Sequence, residues 1–240
     1  MGSMASRGYR WATFAAIGLC LCSGGVFAQD EVPQAEAERE LPDTWYAQVL
    51  AHSDAGINVT HFWSKGRNMR AETVMAGRRV VTIVTTETYY AYDLLVRTGI
   101  AVQRAPRSVK QDAERSRPFG NEYFSLLRQG AELVRSETLA GRTVEIYQIT
   151  NDDGRRRIWV PPDELRLPLR LQIFRRATAQ QFVTDYLNWQ RGLPIVDDFF
   201  RPEPGISILV LTYQEYVDKQ AAREPIGPVP VLYGDLLHGY

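Results

Sequence analysis

The chain has 240 residues, with 28 basic and 28 acidic side chains, so its formal charge at neutral pH is zero. Such a balance lacks the basic footprint of a nucleic-acid binder and the polybasic patch of a membrane-surface protein. The length suits one domain with tails.

The first 28 residues are the most informative. Arg7 and Arg10 precede an apolar run from Trp11 to Leu21, and small residues lead to Val26-Phe27-Ala28. This is the pattern of a secretory signal peptide, cleaved after Ala28, and the run is too short to stay as a membrane helix. Removing 28 of the 240 residues leaves 212; Arg7 and Arg10 go too, so 26 basic residues face 28 acidic ones. Both cysteines, Cys20 and Cys22, fall inside the signal, so the mature chain has no disulfide and no thiolate chemistry. Leu19 and Leu21 precede them where a lipid-attachment signal carries a small residue. The expectation is a soluble periplasmic protein.

Residues 29–40 are acidic and aperiodic and are expected to form a flexible leader. Asp43 reads as an N-cap, with Trp45, Val49 and Leu50 as the stripe of a first helix ending near Gly56. From Ile57 the period becomes alternating. Turns at Ser64-Lys65-Gly66 and Ala76-Gly77 separate strand-like runs, and Tyr89 to Asp93 closes a first antiparallel meander. Residues 104–117 are charged and turn-like. Phe119 to Gln129 reads as a helix stopped by Gly130.

A second meander follows over 132–139, 142–150, 155–160, 167–176 and 180–189, with turns at Ala140-Gly141 and Asn151 to Gly154. Asp197 to Phe200 suggests a short helical turn, and Ile206 to Tyr213 a last strand. The Pro-rich end reads as irregular. The expected organisation is signal 1–28, leader 29–40, domain 41–217 and tail 218–240. Alternating strands and one-sided helices both need an apolar partner. A mainly β (α+β) fold satisfies both, with one strongly curved antiparallel sheet, an open half-barrel, wrapped around two or three helices.

The order of several segments resembles the LolA-like family of periplasmic lipoprotein carriers. The segments are Asn68 to Glu72, Val80 to Val84 and Tyr89 to Asp93. Glu137 to Arg142, Ile158-Trp159-Val160, Leu167 to Leu171 and Asp198 to Pro202 follow. Arg70 takes the family's arginine position and Tyr92-Asp93 its aromatic-acid position; Ala71 and Glu87-Thr88 depart from the pattern. The resemblance implies a half-barrel closed by a helical lid over a cavity for acyl chains, with no cofactor.

His52, His61 and His238 share no metal-ligand spacing. No phosphate loop, zincin motif or nucleophile elbow is present, so no catalytic residue is assigned. Asn151 to Gly154 is read as a hairpin turn rather than a calcium loop, and Asp43, Asp197 and Asp198 as helix caps. Arg70 is the candidate to hold a lid carbonyl or a ligand head group, or else is a solvent-facing strand residue opposite Glu72 or a neighbouring strand. Phe62, Met69, Tyr90, Trp159 and Tyr186 are candidates to line the cavity.

The leading reading is a monomeric periplasmic carrier or binder of a lipid or acylated protein, not an enzyme and without cofactor or metal. Its partners would be an inner-membrane donor and an outer-membrane acceptor, with no nucleic acid. The alternative is a periplasmic sensor or interaction module on the same scaffold.

Overall fold

The computed structural model describes residues 43–53, 56–115, 117–227 and 231–239. The expected signal peptide and leader lie outside the described residues.

Among those residues, twelve strands form one open sheet. The first meander is β1 (Thr44–Ser53), β2 (Gly56–Lys65), β3 (Asn68–Met75), β4 (Arg78–Val84), β5 (Thr88–Asp93) and β6 (Thr98–Gln103). The second is β7 (Glu132–Leu139), β8 (Arg142–Asn151), β9 (Gly154–Val160), β10 (Arg170–Arg175) and β11 (Gln180–Arg191). Each meander pairs antiparallel in chain order, and β1 joins them by pairing with β11. β12 (Ser207–Leu211) is added parallel to β6, so β12 and β7 are the two edges. This is the open half-barrel expected from the sequence.

Helices α1 (Pro106–Ala113), α2 (Glu122–Arg128), α3 (Tyr213–Ala221) and α4 (Gly234–His238) complete the fold. Strand parity divides the sheet cleanly. Met69 and Ala71 of β3, Val80 and Val84 of β4, and Tyr89 and Ala91 of β5 face a cluster that includes Phe119, Tyr216, Leu236 and Leu237 from the helical segments. This is the inner face. Val81, Ile83 and Tyr92 point the other way and pack with Phe200 and its neighbours from residues 195–208. Both faces of the first meander are therefore covered.

The expected first helix is instead strand β1. Trp45 and Val49 are four apart and suit either period, but Ala47 between them is fully buried beside both. That alternation, paired on both sides by β2 and β11, outweighs local helix propensity. Asp43 caps no helix; its carboxylate accepts from Trp45 Nε1 at 3.1 Å. Asp197 and Asp198 stand inside a short 3₁₀ turn, where Asp197 takes Lys65 Nζ at 2.7 Å and Asp198 pairs with Arg201.

Residues 104–117 hold α1 rather than turns alone, started by Pro106 at its first turn, where the missing N–H does no harm. The second helix is shorter than expected. Gly120 has φ +72°, and a Cβ there would lie 2.6 Å from the Trp189 ring, so the helix begins only beyond it. The tail is not irregular. The capping box of Thr212 and Glu215 opens α3 directly after β12. After it, α4 places Leu236 and Leu237 in the core at 3% and 0% exposure. Ala105 N–H to Leu237 O at 3.0 Å and Arg104 Nε to Leu236 O at 2.6 Å fasten it.

Candidate functional site: an aromatic cavity on the inner face

The first meander supplies one wall of a cavity of about 440 Å³ through Val49, Thr60, Phe62 and Met69. The second supplies Leu171, Thr184 and Tyr186, and the segment before α2 brings Pro118, Phe119 and Gly120. Tyr233 and Leu236 reach it from the C-terminal segment. The volume falls within the roughly 300–1,000 Å³ of small-molecule sites.

Beside the lining runs a ladder of rings. Tyr186 stacks on Trp189 at 5.6 Å, Trp189 on Phe119 at 5.6 Å, Phe119 on Phe62 at 5.1 Å, and Tyr233 meets Phe62 edge-on at 5.2 Å. Such ring pairs add about 0.5–1.5 kcal/mol each beyond their buried area. The ladder depends on a backbone irregularity. In a regular strand Tyr186 and Trp189 would face opposite ways. The β1–β11 register shifts between Tyr46 and Gln48, and Asn188 takes φ +53°, a bulge that returns Trp189 to the inner face. Tyr233 likewise sits in the left-handed region at φ 57°, which is costly for a bulky residue and is held by the Tyr89 hydroxyl donating to Leu232 O at 2.5 Å.

Two charged groups lie in this apolar setting. The Glu122 carboxyl accepts from the Tyr186 hydroxyl at 2.5 Å through Oε1, while Oε2 is closed to solvent without a partner. Burial pushes this carboxyl up, against the pull of Tyr186 and Arg117, and burial also drives Tyr186 well above the usual phenol range. Arg117 is 5% exposed, donates to Gly120 O at 2.6 Å, and lies over the Trp45 and Trp189 rings at 5.5 and 5.8 Å. Burial lowers its affinity for the proton.

The cavity adjoins a polar cleft of about 630 Å³ lined by Gln111, Glu114 and Phe124. Arg115, Asn121, Ser125, Arg128 and Asp235 line both spaces. The cavity and the polar cleft thus share a wall that carries charges of both signs.

The structure brings Phe62, Met69 and Tyr186 together in this cavity. It does not bring the other three candidates there. Arg70 is 4% exposed on the outer face, where it pairs with Glu72 at 2.9 Å and Glu203 at 2.7 Å, donates to Phe199 O, and lies 4.8 Å from the Phe199 ring. Tyr90 is among the residues packed around Phe200 on that face. Trp159 packs with Val144 and Ile146 and donates to Glu137 at 2.8 Å.

Phe119, Glu122, Trp189 and Tyr233 carry no mark of a site residue in the sequence. Tyr233 sits in a Pro-rich segment, and Trp189 comes behind the lining rings Phe119 and Tyr186 only through the bulge. The histidines stand apart: His52 near Asp185 at 3.9 Å, His61 on Tyr46 at 2.9 Å and His238 on Tyr213 at 3.0 Å. Among the described residues no group of three His, Cys, Asp or Glu side chains is gathered for a metal, and no helix is long and apolar enough to cross a membrane.

An open half-barrel with a cavity between sheet and helices is the class that fold and site define. No family model and no curated protein matches the chain. Among solved structures, an uncharacterised conserved protein from Thermus thermophilus superposes with a TM-score of 0.51 at 11% identity. The match covers 71% of this chain and 91% of that one. The two share a fold. The MucA/MucB complex structure of Pseudomonas aeruginosa gives a TM-score of 0.41 at 14% identity, over 69% of this chain and 58% of that one. An outer membrane lipoprotein-sorting protein domain from Vibrio parahaemolyticus gives 0.32 at 10% identity, over 66% and 89%.

Proposed function

We propose that this protein is a non-catalytic periplasmic binder or carrier of an amphiphile, a lipid or an acylated protein. The chain would lie in the aromatic cavity and the polar end in the adjoining cleft. The observation that supports this reading most strongly is the adjacency of the two spaces, which share Arg115, Asn121, Ser125, Arg128 and Asp235 as lining. Each buried methylene contributes about 0.8 kcal/mol, so one long chain can be retained without a charged contact. The signal-like first 28 residues and the motifs shared with lipoprotein carriers point to the periplasm as the place of action.

Mass spectrometry of organic extracts from the full chain recovered from a periplasm tests the reading. A stoichiometric lipid is the expected result, and a ligand-free protein that also fails to take up a fluorescent fatty acid would overturn it. Ala51 lines the cavity. Ala51→Trp should fill it and weaken uptake of the fatty-acid probe at least tenfold, an estimate resting on the burial of two or more methylenes.

A second reading, a protein-interaction module, draws on the sheet edges. β12 presents Leu209 and Val210 at 49% and 74% exposure beside an unpaired backbone, a geometry suited to strand addition. Pull-downs in which a partner is lost on Val210→Lys, with the cavity unaffected, would favour it.

A further inference from the structure

The polar cleft is lined by two cations, Arg115 and Arg128, and two carboxylates, Glu114 and Asp235. Arg115 and Asp235 pair with each other at 2.9 Å, and Asp112 adds a contact to Arg115 at 3.4 Å. Arg128 and Glu114 differ. Among the described residues neither has an ion pair or a side-chain hydrogen bond, although both line the same cleft. Opposite charges thus stand on one open space, farther apart than an ion pair reaches.

Their places on the helices separate the two. Arg128 ends α2, where the helix dipole favours a cation. Glu114 is the C-cap of α1, where the same dipole disfavours a carboxylate. Helix stability alone would not place an acid there.

We propose that the cleft is a head-group site for a zwitterion, Arg128 holding a phosphodiester and Glu114 a primary ammonium, as in a phosphoethanolamine lipid. This rests on the amphiphile reading above and names the chemical class of the ligand's polar end.

Charge balance selects this class over its neighbours. The four charged side chains of the lining sum to zero. A purely anionic head group would meet both carboxylates, and a cationic one both guanidiniums. An uncharged glycerol or sugar head would leave Arg128 and Glu114 without counter-charges. A zwitterion answers both at once, since the planar fork of a guanidinium suits phosphate oxygens and a primary ammonium offers three donors to a carboxylate. Asn121 and Ser125 line both spaces, so the glycerol joining head to chain would pass along polar side chains.

Displacement of a dansylated fatty-acid probe from the full chain tests this with three lipids of one chain length, below their micellar concentrations and in about 0.15 M salt. They are 1-dodecanoyl lysophosphatidylethanolamine, its lysophosphatidylglycerol counterpart, which lacks the ammonium, and 1-monododecanoylglycerol, which lacks both charges. The ethanolamine lipid should bind about fivefold tighter than the phosphatidylglycerol form, the scale of one solvent-accessible ion pair, and at least as much tighter than the uncharged lipid. Glu114→Gln should abolish the first preference, and Arg128→Gln should weaken both phospholipids. Neither variant should alter binding of the uncharged lipid, which reports an intact cavity. Equal affinity of the wild type for the two phospholipids, a preference that survives Glu114→Gln, or phospholipid affinities indifferent to Arg128→Gln would overturn the zwitterion assignment alone. So would probe uptake that none of the three lipids displaces. A chain that takes up neither probe nor lipid would overturn the cavity reading with it.

Discussion

Arg70 and Glu122 show how burial decides what a charged residue does. Arg70 is enclosed with two carboxylates, a carbonyl and a ring around it, on the face away from the cavity. Its removal leaves Glu72 with Arg79 alone and takes from Glu203 its ion-pair partner. Arg70→Leu should therefore lower unfolding stability by about 2–4 kcal/mol while leaving probe affinity within twofold, read by urea denaturation and probe titration. A large loss of affinity in a stably folded variant would return Arg70 to the ligand. Glu122 works in the opposite direction. Its folded pKa is raised above the unfolded value of about 4.3, so the folded state holds its proton longer than the unfolded state does. That costs stability progressively as pH rises from the unfolded pKa through the folded one. Glu122→Gln should match the wild type near pH 4 and become progressively more stable than it as pH rises through the folded pKa of the carboxyl. Parallel stability curves from pH 4 to 8 would show that Glu122 is ionised in the folded protein.

Elements differ in how far their own residues specify them. Strands β2 to β5 and the second meander were legible because the alternation is strong and the turns carry Gly66, Gly77, Gly141 and the Asn151 to Gly154 motif, each local to the hairpin it closes. β1 was not legible, since Trp45, Val49 and Leu50 fit a helical stripe and the deciding contacts come from β11, far along the chain. The missed strand β6 has a sharper dependence. Gly99 lies opposite Tyr92, and a Cβ there would approach Tyr92 Cβ to 2.3 Å and Ala91 O to 2.4 Å. Gly99→Ala should cost about 1–3 kcal/mol through forced displacement of β5, seen as a lower midpoint in thermal unfolding. An unchanged midpoint would mean that the strands separate freely here. At the site, residue type alone picked out Phe62, Met69 and Tyr186, which line the cavity, but with them Arg70, Tyr90 and Trp159, which face elsewhere. It could not place Trp189, whose side is set by the bulge, or Tyr233, whose position is set by the Tyr89 hydroxyl on the carbonyl of the preceding Leu232 and by a hydroxyl–hydroxyl bond with Thr73.

At the scale of the whole described domain, the cavity sits where the sheet is joined. Within each meander every strand pairs with a neighbour next in sequence, but the meanders meet only through the β1–β11 pairing, which contains the bulge. Pairing of such distant segments closes a long loop before any contact is gained, so this seam is expected to form late in folding. The cavity takes walls from both sides of it, Val49, Phe62 and Met69 on one and Leu171 and Tyr186 on the other. A ligand lodged there bridges the halves, and because it binds only the closed sheet it stabilises that state in proportion to its occupancy. Hydrogen exchange with and without a saturating acyl probe should then show added protection across residues 44–53 and 180–191. The edge strands β7 and β12 should be unchanged, because no ligand atom touches them and their opening does not require the seam to part. Protection confined to α2 and the C-terminal segment would place the ligand in the polar cleft alone, and protection at the edges would locate binding outside the half-barrel. Protection centred on the seam would tie the bulge, the ring ladder and the split origin of the cavity walls to a single purpose, a sheet whose two halves are held together by what it carries.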